Sequence, residues 1–131
     1  MNIDRDGARL ALAGVRLVNG ATALLAPSFM LRRLGADPAV NGVAIYPLRM
    51  FGIRTVVLAW DLLRCAAPDD PGRRRDLALG ILIHATDAMS AFTAGVRGRL
   101  PARVAVLATA VSVTNTALAI AAARTSTRPV D

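Results

Sequence analysis

VAVLATAVSVTNTALAIAAA, residues 104–123, runs for twenty positions without a charged side chain. At about 1.5 Å per helical residue such a segment spans about 30 Å, the thickness of a bilayer's hydrocarbon core. A helix lying on a membrane surface needs a charged face, and this one has none. Three further apolar blocks precede it, at residues 10–30, 43–63 and 77–96. The four blocks together hold five charges, Arg16, Arg49, Arg54, Asp61 and Asp87, and the other twenty charged residues fall in the connections and ends. A water-soluble bundle cannot distribute charge in that way, because each of its helices needs a polar outer face. The sequence therefore predicts an all-α, integral membrane four-helix bundle with short loops, a single domain over residues 1–131.

Composition agrees. Hydrophobic residues make up 54% of the 131, against 19% charged and 4% aromatic. All 16 basic residues are Arg and all 9 acidic residues are Asp, so P-loop chemistry, lysine Schiff-base chemistry and any Glu-based proton or metal site are excluded. One cysteine, Cys65, and one histidine, His84, cannot assemble a zinc site, and neither a metal nor a cofactor is expected. The net charge of +7 comes from arginines flanking apolar spans, where anionic headgroups attract them. Without interleaved aromatics to stack on bases, nucleic acid is not an expected partner. The expected partners are the lipid bilayer and, beyond it, a second copy or a larger membrane protein.

The punctuation between blocks is consistent with four crossings. Pro27 closes the first span, and the following SFMLRRLG reads as a short amphipathic turn for the headgroup region. GADPAVNG is turn-rich, and CAAPDDPGRRRD reads as an aqueous loop. The opening MNIDRDGAR carries two Asp, and Arg16 interrupts the apolar run behind it; the first span therefore reads as retained rather than cleaved. Four crossings put both ends and the middle loop on one side, with Arg5, Arg9, Arg64, Arg73, Arg74, Arg75, Arg124 and Arg128. The other side has Arg32, Arg33, Arg97, Arg99 and Arg103. Eight against five places both termini in the cytoplasm and the chain in the inner (plasma) membrane.

Helical spacing gives each span a polar or small face: Arg16, Asn19, Gly20 and Ala23; Arg54 and Asp61; Gly80, His84, Asp87, Ala91 and Gly95; and Ala105, Thr109, Ser112, Thr116, Ala119 and Ala123 with Asn115 beside them. Charges at a helix centre are tolerated only when they face inward and pair. Arg16, Asn19, Arg54, Asp61, Asp87 and Asn115 thus form the candidate buried polar cluster, with Arg54 and Asp87 the favoured ion pair. One reading makes the cluster a latch that fixes helix register in a structural or accessory bundle. The alternative is an intramembrane enzyme of isomerase or cyclase type on a lipid- or terpenoid-like substrate, with His84 and Asp87 as acid and base and Arg54 stabilising negative charge. A proton or anion pathway lined by Arg16, Arg54 and Asp87 is the third.

The segments APSFMLRRLG, RMFGIR (above all Arg49, Phe51, Gly52 and Arg54) and HATDAMSAF with Asp87 resemble an uncharacterised family of small bacterial, actinobacterial-type four-span membrane proteins, DoxX-like in architecture. The resemblance covers roughly residues 9–123. It implies a compact four-helix membrane bundle and brings no established activity or cofactor. DoxX-like proteins are associated with redox and quinone-linked membrane processes, and the only thiol here is Cys65.

Overall fold

The computed structural model describes residues 3–67 and 69–126, and the side chains of 6–67 and 69–125. Pro68, Arg128 and the side chain of Arg5, all used in reading the loops and orientation above, lie outside these described residues. Among the described residues five α-helices follow one another: α1 (Ile3–Leu25), α2 (Pro27–Arg33), α3 (Ile45–Arg64), α4 (Pro71–Val96) and α5 (Ala102–Ser126). All but α2 are long and apolar enough to cross a membrane.

Local chemistry sets the ends. Pro27 disfavours helix at Ala26, which leaves the helical region and ends α1, and then serves as the first residue of α2. In α2 Pro27 and Leu31 turn inward, and Arg33 stands over the ring of Phe29, 5.1 Å from its centroid. Gly35, at φ +86°, supplies the left-handed turn after α2. The start of α4 differs from the sequence expectation: the helix begins at Pro71 rather than near Leu77. Asp70 caps it by accepting from the Gly72 amide at 2.8 Å, and Pro71 has its φ already fixed for the first turn. Arg73 and Asp76, read above as loop residues, are therefore on the helix and buried.

The long helices form a ring in which α1 packs against α3 and α5, and α5 against α4, while α3 and α4 meet only thinly. The crossing of α1 and α3 depends on Gly20 and Gly52. A Cβ on Gly52 would fall 2.6 Å from the Leu24 amide nitrogen and 2.7 Å from the Gly20 carbonyl oxygen, so the backbones are in contact. Leu12, Ala13, Leu62, Leu77, Ala119 and Ala122 make the apolar core. Outside, Val18, Val57, Trp60, Leu82, Met89, Val106 and Val113 are exposed, while Arg9, Arg16, Arg73, Asp76 and His84 are buried. A surface that apolar around a charged interior suits lipid and not water. The chain is an all-α four-helix bundle of a multi-pass membrane protein.

Candidate functional site: a polar ladder inside the bundle

α4 turns Arg73, Asp76, Gly80 and His84 inward at spacings of three and four residues, along one face. Across the bundle, α1 presents Arg9 and Arg16, seven residues and about two turns apart. These two faces interlock. The Arg16 side chain is 0% exposed; its Nη1 donates to Asp76 Oδ2 at 3.2 Å and to the Leu58 carbonyl oxygen of α3 at 3.2 Å, and its Nε donates to His84 Nε2 at 3.3 Å. Since α1 and α4 are diagonal in the ring, this guanidinium bridges them, and it touches α3 as well. Its remaining nitrogen, Nη2, has no hydrogen-bond partner among the described residues and lies against Gly80, where any Cβ would collide with it. Glycine at position 80 makes room for the charge.

The histidine's role follows from the donor. A guanidinium only donates, so Nε2 of His84 accepts, and the imidazole is neutral with its proton on Nδ1. The lone pair that a general base would use is thus directed at Arg16.

A second rung lies one to two turns nearer the end that carries both termini. Asp6 Oδ1 accepts from Arg9 Nε at 3.2 Å and forms an ion pair with Arg73 Nη1, also at 3.2 Å. Arg9 also donates to the Leu62 carbonyl at 3.0 Å and Arg73 to the Ala66 carbonyl at 3.0 Å, which satisfies oxygens at and beyond the C-terminus of α3. Of the three adjacent arginines, Arg73 is 1% exposed by side chain whereas Arg74 and Arg75 point outward. Arg73 Nε and Asn115 Oδ1 are buried without hydrogen-bond partners among the described residues.

The residues singled out from sequence separate into distinct environments. Arg16 and Asn115 are buried, Asn19 and Asp61 are half-buried, and among the described residues neither Asn19 nor Asp61 makes a side-chain ion pair or hydrogen bond. Arg54 Nη2 does meet Asp87 Oδ2, at 3.1 Å, but on the outer side of the α3–α4 seam, with side chains 45% and 35% exposed. Arg54 also faces the Phe51 ring at 5.8 Å. His84 is not joined to either; its partner is Arg16. The members that sequence reasoning missed are Asp76, Arg73, Arg9 and Asp6. The signal for two of them was available: carrying the Gly80, His84, Asp87 face back towards the N-terminus of α4 lands on Asp76 and Arg73.

Open space lies elsewhere. A groove of about 640 Å³ runs along α3 beside Arg54, walled by Tyr46, Met50, Ile53 and Val57, and a smaller one of about 310 Å³ sits between Met89, Thr93, Arg97 and Arg99. Neither is lined by Arg16, Asp76 or His84. Among the described residues no group of three or more His, Cys or Asp side chains is placed to hold a metal ion. No family model matches this chain, and no curated protein or solved structure is found to be similar to it.

Proposed function

We propose that this protein is a structural or accessory four-helix bundle of a bacterial plasma membrane, DoxX-like in architecture, whose buried charges act as a latch. The observation that carries the reading is the engagement of Arg16. Its Nε and Nη1 are taken up by His84, Asp76 and the Leu58 carbonyl from two other helices, and its Nη2 is packed on glycine. A working acid/base site needs a lone pair facing a substrate; the Nε2 lone pair of His84 faces a cation instead. Breaking one member of such a buried pair is costly, whereas replacing both members with apolar groups is tolerated.

The orientation proposed is both termini in the cytoplasm, on the eight-to-five arginine count. The margin is narrow in space. Arg9 and Arg73 are turned inward onto Asp6, and Arg49 adds to the exposed arginines near the opposite end. Reporters fused at the C-terminus and in the 97–101 loop read it directly: cytoplasmic activity at the first and not the second supports the orientation, and the reverse overturns it.

The latch is tested in cells by the double variant Arg16→Met/Asp76→Leu. A structural bundle keeps its level in the membrane and its co-purifying membrane partners in the double variant and loses both in either single variant. A working site loses function in all three while the double variant remains folded. His84→Ala should be folded and competent, since Arg16 keeps Asp76 and Leu58.

A further inference from the structure

Arg54 and Asp87 face outward from helices that cross the membrane. Arg54 is the tenth of the twenty residues of α3, which puts it about 15 Å from the Arg64 end, near mid-depth in the hydrocarbon core. Asp87 is bonded to it at 3.1 Å and so lies at the same depth. Ionisable side chains at that depth are accommodated inside a bundle or in a polar cavity and not against acyl chains. Within one chain this pair is left 45% and 35% exposed, at the seam where the ring of helices is thinnest.

We infer that the α3–α4 face is covered by a second copy of this chain, related by a two-fold axis along the membrane normal, with Arg54 of each copy meeting Asp87 of the other. The exposed pair is self-complementary: a cation and an anion side by side match their own image after a half-turn. An axis along the normal preserves depth, so the second bond needs no vertical shift. The result is a closed ring of four alternating charges, each anion between two cations. The apolar surroundings fit the same contact. Met50, Ile53 and Val57 are exposed along α3 on either side of Arg54 and border the 640 Å³ groove, which gives the partner's side chains a recess to enter. The inference depends on the transmembrane placement and is independent of the latch, because Arg16 and Asp76 take no part in it.

The test uses two oppositely charged variants in the full-length chain, carrying different affinity tags. Arg54→Asp gives a face with two anions and Asp87→Arg a face with two cations. Each alone should lose self-association, whereas the two co-expressed should associate, because both cross-chain bonds re-form only in the mixed pair. Co-purification of the differently tagged chains in mild detergent should therefore fall at least tenfold for either variant with itself and return to the wild-type level for the mixture. Equal co-purification in all combinations, or none in the mixture, overturns the inference. A second measurement leaves the charges in place. In a Cys65→Ser background, a chain with Met50→Cys and a differently tagged chain with Ser90→Cys, at the same depth on the facing α4, should form disulfide-linked dimers in native membranes, and Val113→Cys, on α5, should not pair with either. A wild-type chain that is monomeric in membranes, with no crosslink between the Met50→Cys and Ser90→Cys chains, shows that water or lipid headgroups cover the pair, and overturns the inference as well.

Discussion

Replacing Asp76 by Leu removes the only carboxylate, among the described residues, in contact with a guanidinium that is 0% exposed. With an N···O distance of 3.2 Å and an effective dielectric constant of about 20, the pair's Coulomb attraction is about 5 kcal/mol. Desolvation of both groups offsets part of this, and removing one member of a buried pair typically costs about 3–5 kcal/mol because the other is left uncompensated. Asp76→Leu and Arg16→Met should therefore each lower stability by about 3–5 kcal/mol. The double variant should lie within about 1 kcal/mol of the native chain, since two apolar side chains of similar volume fill the same space. The assay is unfolding by added sodium dodecyl sulfate in mixed micelles, followed by circular dichroism and by the fluorescence of Trp60, the chain's single tryptophan. Costs that add to within about 0.5 kcal/mol in the double variant mean that the two residues do not interact, and refute the latch.

Other substitutions probe the neighbouring geometry. Gly80→Ala places a methyl group on Arg16 Nη2 and should cost about 1–3 kcal/mol, a penalty that shrinks in the Arg16→Met background; an unchanged penalty there means the clash lies elsewhere. Gly52→Ala drives a Cβ into the backbone of α1 at Leu24 and Gly20, and should separate α1 from α3 with a loss of at least about 2 kcal/mol, read by the same unfolding assay. Arg54→Met leaves Asp87 unpaired at mid-depth and should lower stability by at least about 1 kcal/mol, a loss that Arg54→Met/Asp87→Leu regains; equal losses in the single and double variants contradict the pairing. Cys65 lies outside the spans, and desolvation together with the nearby Asp70 carboxylate holds its thiol above the ordinary thiol pKa. Thiolate at neutral pH is thereby scarce, so maleimide labelling should keep accelerating as pH rises past the usual thiol range, and Asp70→Asn should quicken labelling near pH 7.5. A labelling rate insensitive to Asp70→Asn contradicts that contact.

The sequence was most informative where chemistry and length coincide. Twenty uncharged residues at 104–123 leave little choice but a crossing, and α5 covers them. Arg16, Gly80 and His84 could be placed on inward faces by helical spacing alone. What spacing cannot supply is which helices are diagonal neighbours, and so Arg54 was matched to Asp87 by depth without any sign that this pair faces outward. The stretch GRRRD concealed the rest. Three arginines in a row look solvated, yet a helix turns successive residues by about 100°, so Arg73 points to the core while Arg74 and Arg75 do not. The Asp70–Pro71 pair in front of them is a helix-start signal that, given more weight, brings Arg73 and Asp76 into the third span.

The latch rests on a direct contact between Arg16 and Asp76 inside the membrane, and solid-state NMR of the chain in lipid bilayers reports on it without any substitution. With ¹⁵N in the arginine side chains and ¹³C in the aspartate carboxyls, an ion pair of 3.2 Å N···O separation produces strong dipolar dephasing between Arg16 Nη1 and the Asp76 carboxyl carbon. That dephasing, with the Arg16 nitrogens shielded from exchange with bilayer water, is the predicted result. An Asp76 carboxyl that shows no coupling to Arg16, or an Arg16 guanidinium that exchanges freely with water, contradicts the latch.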